Sequence, residues 1–202
     1  MSVVKLTEYE YTLCVLFSEK SARSQQQIEF GNKQTDRRPV REIREDTLCG
    51  KMAEVAVVKM LREEYGLHLP VNYEVYPRGE WDDEDIIING RTVDVKATQK
   101  GRFLLLEKNK IDFRKDQNRL PDIIIMCRTD IDAMQVEIDG CITTKKLTDP
   151  KNEKVKWLKA GEAIPGTQVK LQADNYCVEI SDLCSAKTAF DYIVGRNKDA
   201  DR

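Results

Sequence analysis

The sequence predicts an α/β (α+β) protein in which a central mixed β-sheet is flanked by helices, and three features support this prediction. Residues 49–66 carry apolar side chains at the spacing of one helix face. The dipeptide Asn89-Gly90, between two apolar runs, is typical of a tight β-hairpin. The continuous apolar run within residues 122–128, DIIIMCR, is typical of a strand buried on both faces.

The N-terminal part is predicted to be helical on both sides of a polar connector. Residues 7–30 have an amphipathic pattern and form the first predicted helix. Residues 32–48 are polar and contain Pro39, so we expect a connector there. Residues 49–66 form the clearest helix of the chain, and Gly66 fits the position directly after its last turn.

The middle of the chain combines short strands with one mainly polar helix. That helix, over residues 107–118, is predicted to end before Pro121, because proline cannot donate the next helical hydrogen bond. We expect residues 102–106 to extend the central sheet. The predicted strands lie at 71–77, 85–90, 91–97, 102–106 and 122–128.

The C-terminal part is predicted to add strands and a closing helix. The dipeptide Asp139-Gly140 between two strand-like runs predicts a second hairpin. We treat the chain as a single domain, with an N-terminal part at 1–48, a core at 49–130, a C-terminal part at 131–195 and a tail at 196–202. The predicted elements are strands at 133–138, 141–144, 167–172 and 175–180, and a helix at 185–195.

The composition is that of a soluble globular protein and excludes several classes. Of the 202 residues, 34% are charged and 41% are hydrophobic, which is too apolar for wholesale disorder. The net charge of -2 excludes a uniformly basic protein but permits a local basic face. The apolar runs are too short to span a bilayer, and the N-terminus shows no secretory signal. We therefore expect a cytoplasmic protein without a membrane partner.

Cysteine and histidine usage limits the possible chemistry. The six cysteines include no CxxC pair, which argues against a zinc ribbon and against a disulfide framework. His68 is the only histidine, so a mechanism that needs two histidines is excluded, and nothing marks His68 as part of a Ser-His-Asp triad. Catalysis would therefore depend on carboxylates and a lysine, with or without a metal ion.

The predicted hairpin gathers charged side chains on one face. If Asn89 and Gly90 are the two loop residues, Asp85 lies directly opposite Asp94, and side chains in such pairs are about 4.5–5.5 Å apart at Cβ. Lys96 lies two residues beyond Asp94 and thus on the same face. The opposite face of the hairpin is apolar, with Ile86, Val93 and Val95.

Two adjacent carboxylates repel each other, and a bound divalent cation relieves that repulsion. Oxygen ligands without histidine or thiolate favour Mg²⁺ or Mn²⁺ over zinc. Lys96 beside such an ion can position an attacking water, which suits phosphodiester hydrolysis. Glu54 lies at the margin of the apolar helix stripe, where a carboxylate needs a partner or an ion. The alternatives are an ordinary surface Asp–Lys pair and a Glu54 that marks the polar edge of its helix.

The ordered set of Glu54 in Gly-Lys-Met-Ala-Glu, Asp85, and Asp94-Val95-Lys96 resembles the PD-(D/E)xK nuclease superfamily. The resemblance covers roughly the middle two-fifths of the chain. It implies a restriction-endonuclease-like core, α-β-β-β-α-β, with an N-terminal helix and extra C-terminal strands added here. It also implies that Asp85, Asp94 and the Val95 carbonyl bind Mg²⁺, that Glu54 completes the metal shell, and that Lys96 activates water.

The pattern leaves alternatives within this chain. Glu84 rather than proline precedes Asp85, and the acidic run leaves Asp83 as an alternative first metal ligand that would face Lys96. Gln99, three residues after the lysine, is similar to a glutamine found near this position in some branches of the superfamily. We treat Asp83 and Gln99 as possible accessory residues.

Basic segments flank the acidic centre, as expected for contacts with phosphate groups on either side of a metal site. The main prediction is a Mg²⁺-dependent endonuclease for double-stranded DNA, a type II restriction enzyme or another defence or phage nuclease, acting as a homodimer. The alternatives are a structure-specific repair or junction-resolving nuclease and an inactive nucleic-acid-binding protein of the same fold. The candidate DNA-binding residues are Arg37, Arg38, Lys100, Arg102, Lys108, Lys110, Arg114 and Lys115.

Overall fold

The computed structural model describes residues 2–26, 39–76 and 86–195. Within these ranges the chain forms two β-sheets with helices packed around them. The helices are α1 (Glu8–Gln26), α2 (Val40–Tyr65), α3 (Lys108–Asp116), α4 (Thr144–Leu147) and α5 (Ala186–Ile193). The strands are β1 (Ser2–Lys5), β2 (Ile86–Ile88), β3 (Arg91–Thr98), β4 (Phe103–Glu107), β5 (Ile123–Asp130), β6 (Gln135–Thr143), β7 (Val155–Leu158) and β8 (Asn175–Glu179).

The larger sheet is mixed and has the strand order β1-β6-β5-β3-β2. Strands β3 and β5 are parallel, and the other neighbours in this sheet are antiparallel. A parallel pair needs a long crossover connection, which here contains β4 and α3. The predicted mixed sheet with flanking helices, and the central position of the strand at residues 122–128, are confirmed.

The second sheet has the order β4-β8-β7 and is antiparallel throughout. Its existence shows that one prediction is wrong, because residues 102–106 do not extend the central sheet. Strand β4 pairs instead with β8, with Leu105 opposite Cys177. The strand order therefore does not confirm the α-β-β-β-α-β core that the resemblance implies.

Each face of the larger sheet has its own apolar cluster. On one face, Val93, Ile125 and Ile138 pack with buried side chains of α2 and α5, such as Leu61 and Phe190. On the other face, β5 and β6 contribute to a second cluster with the small sheet and α3. That second cluster consists of Leu104, Leu106, Ile111, Ile124, Met126, Ile142, Leu147 and Val178. Helices thus cover one face, and β4, β8 and α3 cover the other.

Helix α2 begins earlier than the sequence suggested. The predicted connector at residues 32–48 is wrong from Val40 onward, because α2 starts there, directly after Pro39. An ion pair between Arg41 and Glu45, 2.8 Å long, supports this exposed first part of the helix. The predicted end is confirmed: Gly66 is left-handed at φ 69° and its amide donates to carbonyls of the last turn.

The predicted hairpin at Asp139-Gly140 is wrong, because both residues lie inside the single strand β6. The Asp139 carboxylate is buried and accepts hydrogen bonds from Arg128 on the neighbouring β5. A Cβ atom built on Gly140 would lie 2.4 Å from the carbonyl oxygen of Cys184. Glycine is needed there because the backbone of Cys184 approaches closely, and not because the chain turns. Thr144, predicted as the last residue of a strand, is instead the first residue of the short helix α4.

Other elements differ at the periphery. Residues 71–76 form no strand, and residue 77 lies outside the described ranges. Within residues 167–172 the sheet pairing is limited to an isolated bridge between Ala163 and Lys170. Strands β1 and β7 were not predicted. The strands at 91–97 and 175–180 and the helices at 107–118 and 185–195 are confirmed with small shifts of their ends. The tail at 196–202 lies outside the described ranges.

None of the helices in the described parts of the chain is long and apolar enough to cross a lipid bilayer.

Candidate active site at the β2–β3 hairpin

The hairpin that carries the candidate site has the predicted turn and register. Asn89 and Gly90 have φ angles of 50° and 77°, as a two-residue type I′ turn requires. Ile88 lies opposite Arg91, and Ile86 lies opposite Val93. Both of these pairings are confirmed. The next predicted pairing, between Asp85 and Asp94, stays a prediction because Asp83 and Asp85 lie outside the described residues.

Asp94 is a buried carboxylate on β3. Its neighbours Val93 and Val95 belong to the cluster under α2, so strand alternation turns Asp94 to the other face. The side chain of Asp94 is only 6% exposed. Its Oδ2 lies 2.7 Å from the amine of Lys96, and its Oδ1 accepts a hydrogen bond from Nη1 of Arg114 on α3 at 3.1 Å. We call these three residues the Asp94 cluster.

The Asp94 cluster has one carboxylate and two cations. A carboxylate removed from water needs such partners, because an uncompensated buried charge is costly. The Lys96 side chain remains 40% exposed while its amine contacts Asp94. The sequence predicted that Asp94 and Lys96 share a face, and the structure confirms it. Arg114 was predicted to contact DNA, but its partner here is the acidic residue of the site.

Glu54 belongs to a different cluster. It forms an ion pair with Lys51, one turn earlier on α2. Lys51 is buried, donates to the carbonyl of Asn72 at 2.8 Å and lies 4.4 Å from the centre of the Phe17 ring. Helix α2 packs on the Val93 face of β3, whereas Asp94 points to the opposite face. Within the described ranges, Glu54 and Asp94 therefore lie in separate ion-pair clusters.

Sequence reasoning missed Lys51 as the partner of Glu54, although a signal was present. Lys51 precedes Glu54 by three residues, which is the spacing of a helix ion pair. It also adjoins the apolar stripe, where a lysine needs an acidic or aromatic neighbour. The expectation that Glu54 needs a partner is met by Lys51. Its role as a metal ligand stays a prediction.

The described residues contain no group of three or more His, Cys, Asp or Glu side chains that could hold a metal ion. Residues 77–85, with the acidic run, fall outside the ranges to which this applies. The finding therefore leaves untested whether an acidic residue of that run joins Asp94 at a metal ion. The Asp94 carboxylate and the Val95 carbonyl are hard oxygen donors, which fit Mg²⁺ by chemistry.

Gln99 lies just beyond the end of β3, where it is exposed. Burial raises the pKa of the Cys49 thiol on α2, and hydrogen bonds with Thr129 and Gln99 partly offset that effect. Gln99 thus connects the end of β3 to α2. Its accessory role near Lys96 stays a prediction.

The candidate DNA-binding residues are mostly paired with acidic side chains. Arg102 contacts Glu179 at 3.0 Å, and Lys110 contacts Glu107 at 2.9 Å. Exposed pairs of this kind contribute at most about 1 kcal/mol, so a phosphate group can replace the acidic partner. Lys108 pairs with Asp112 and approaches Trp157, and Lys100 and Lys115 are exposed. Arg37 and Arg38 lie outside the described residues.

No protein-family model, no curated protein and no solved structure matches this chain. A functional proposal therefore depends on the sequence pattern and on the geometry of the Asp94 cluster.

Proposed function

We propose that the protein is a Mg²⁺-dependent endonuclease that hydrolyses DNA phosphodiester bonds, as a type II restriction enzyme or another defence or phage nuclease. The observation that carries this proposal is a 2.7 Å contact between the buried carboxylate of Asp94 and the amine of Lys96, whose side chain is 40% exposed. Both residues lie on β3, and its hairpin partner β2 directly follows the acidic run at residues 80–85.

The proposed metal ligands are Asp85, Asp94 and the carbonyl of Val95. Mg²⁺, or Mn²⁺ in its place, would supply Lewis acidity toward the scissile phosphate and its attacking water. Glu54 is paired with Lys51, and α2 packs on the face of β3 opposite Asp94, so Glu54 would join this shell only by leaving Lys51 and reaching the ion from that face. Asp83 remains the alternative to Asp85.

The other roles belong to side chains of the Asp94 cluster. Lys96 would orient the attacking water and hold its amine near the developing charge. Asp94 fixes the position of that amine through their ion pair. Arg114 is suited to the phosphate group, because a guanidinium offers paired donors to phosphate oxygens.

The proposed substrate is double-stranded DNA, contacted through the basic residues around α3 and β4. A homodimer would place two sites on the two strands, since two-fold symmetry matches the pseudo-symmetry of the duplex. Arg102 and Lys110 have side chains that are 78% and 72% exposed, which leaves them accessible to a backbone phosphate.

One observation favours a second candidate function, an inactive nucleic-acid-binding protein. Both oxygens of Asp94 have a cationic partner, so the carboxylate has its charge compensated without a metal ion. A protein that had lost catalysis could retain this arrangement for its contribution to stability.

The test is cleavage of plasmid, linear duplex and branched DNA with Mg²⁺ present or chelated. We expect Mg²⁺-dependent cutting that Asp94→Ala and Lys96→Ala each abolish, while DNA binding in Ca²⁺ stays largely intact. Lys187→Ala is the matched control, because it removes an exposed lysine paired with Asp191 on α5. A fixed fragment pattern supports a restriction enzyme, and branch-only cutting supports a structure-specific nuclease. Unchanged cutting by either site variant would contradict the assignment.

A further inference from the structure

The carboxylate of Asp94 forms ion pairs with two cationic side chains that come from different elements. Lys96 reaches Oδ2 from the same strand, at 2.7 Å. Arg114 reaches Oδ1 from the last turn of α3, at 3.1 Å, and its side chain is 31% exposed. Lys96 comes from the same strand as Asp94, whereas Arg114 comes from a separate element and can withdraw by changing its side-chain rotamers.

Helix α3 holds its backbone in place while it leaves Arg114 this freedom. Ile111 anchors the helix in the second apolar cluster and is only 4% exposed. Lys110 precedes Arg114 by four residues, which places the two side chains on the same side of α3. Lys110 is exposed. A DNA phosphate that meets Lys110 therefore arrives within one helical turn of Arg114.

With Arg114 in place, a divalent cation meets two obstacles at Asp94. The carboxylate oxygens already have cationic partners, and among the described residues of the Asp94 cluster the two cations exceed the one carboxylate. Both obstacles become smaller if the guanidinium moves to a phosphate group, to which it can donate two parallel hydrogen bonds. The phosphate would also contribute negative charge next to the vacated oxygen.

We infer that Arg114 couples DNA binding to metal binding. In the free protein it occupies Oδ1 of Asp94 and weakens the binding of a divalent cation. When DNA binds, Arg114 transfers to a backbone phosphate, and Oδ1 becomes available to the ion. This inference rests on the proposed function and adds an order of events in which DNA binds before the metal.

The test is calorimetric titration with Ca²⁺ of the full chain, with and without duplex DNA. For the unmodified protein we expect at least tenfold tighter Ca²⁺ binding with DNA, and an equal factor for the effect of Ca²⁺ on DNA affinity, because linkage is reciprocal. Arg114→Met should bind Ca²⁺ about tenfold more tightly than the unmodified protein without DNA, with a smaller further gain when DNA is added. Lys110→Met is the matched control for the titration without DNA, because it removes one positive charge from the same helix and its partner is Glu107, not Asp94.

The outcomes separate this inference from the proposed function. If Arg114→Met and the unmodified protein have equal Ca²⁺ affinity without DNA, while the unmodified protein cuts DNA with Mg²⁺, the coupling role is overturned and the nuclease stands. If Lys110→Met has the same effect as Arg114→Met, general charge explains the result and the coupling role is again overturned. If neither Ca²⁺ binding nor cutting is observed under any condition, both proposals fail. Should Arg114→Met not fold, by circular dichroism, Arg114→Gln takes its place with the same expected result.

Discussion

Arg128 on β5 holds the buried carboxylate of Asp139 on β6 through hydrogen bonds from Nε and Nη2, between 2.6 and 3.0 Å long. The Asp139 side chain is 0% exposed. Nη2 of Arg128 also contacts Glu137 at 3.0 Å. The pair joins β5 and β6 at the register shift between Met126 and Cys127, where Asp139 is the β6 residue without a partner on β5.

Replacement of Arg128 by alanine should destabilise the protein by about 3 kcal/mol, because Asp139 would be left as an unpaired buried charge. Urea unfolding followed by circular dichroism measures the change. Arg102→Ala is the matched control, since it removes an arginine from an exposed pair with Glu179. The control should cost less than about 1 kcal/mol. Equal losses for the two variants would contradict the special role of the buried pair.

Alanine at Gly140 should destabilise the protein by about 1–3 kcal/mol, the usual cost of forcing extra atoms into a packed region. The added Cβ would meet the Cys184 carbonyl, a backbone atom that cannot rotate away. Alanine at Gly50 is the control, because Gly50 lies inside α2 and a Cβ there meets nothing within 4 Å. Gly50→Ala should stabilise the protein by about 0.5–1 kcal/mol. The measurement is the midpoint of thermal unfolding. A midpoint below that of the unmodified protein for both variants would argue against this packing.

Glu10 should make the protein less stable in acid. It forms a capping box with Thr7, at 2.8 and 3.2 Å, and accepts a hydrogen bond from Lys59. Burial by itself raises the pKa of Glu10, but the hydrogen bonds from Thr7 and Lys59 outweigh it and lower the pKa below its ordinary value of 4.5. The resulting stability is fully present above that ordinary pKa and is lost as the pH falls through the lowered one.

The measurement is urea unfolding from neutral pH down to pH 3. At neutral pH the free energy of unfolding of Glu10→Gln should be lower than that of the unmodified protein by about 1 kcal/mol. Below about pH 4.5 the unmodified protein should lose stability more steeply than this variant. Glu8→Gln, an exposed carboxylate in the same turn, should retain the steep loss. Parallel pH profiles for the unmodified protein and Glu10→Gln would show that Glu10 does not contribute.

Cys184 should be the thiol that reacts rapidly with a disulfide reagent in the native protein. All six cysteines lie in the described ranges, and Cys184 is exposed whereas the other five are buried. Burial raises the pKa of Cys14 and of Cys141 to about 12, which suppresses their reactive thiolate forms. A stopped-flow assay should give one fast thiol per chain, and Cys184→Ser should remove it. Several fast thiols would indicate a more open core.

Local signals predicted the parts of the fold that local geometry determines. The Asn89-Gly90 turn gave the β2–β3 register because both residues adopt the positive φ that this turn requires. Asp139-Gly140 misled for an equally physical reason. There the aspartate forms a buried ion pair and the glycine allows a close backbone contact. Both interactions involve residues from other parts of the chain, so the dipeptide alone does not reveal them.

In the candidate site, too, local features were predictable and contacts with distant parts of the chain were not. The shared face of Asp94 and Lys96 follows from strand alternation, so the sequence was sufficient to predict it. The contact with Arg114 was not predictable, because it depends on where α3 packs against the second sheet. The pairing of β4 with β8 was missed for a similar reason, since the two strands are far apart in the chain.

The pairing of β1 with β6, in which Ser2 lies opposite Ile138, has a consequence for the ribosome-bound chain. At a synthesis rate of about 5–20 residues per second, β6 emerges on the order of ten seconds after β1. During that delay Val4, which is buried in the finished core, has no sheet to join. A nascent chain of this protein therefore leaves the β1 segment without its pairing partner until β6 has been synthesised, and slower elongation before β6 should increase its dependence on chaperones.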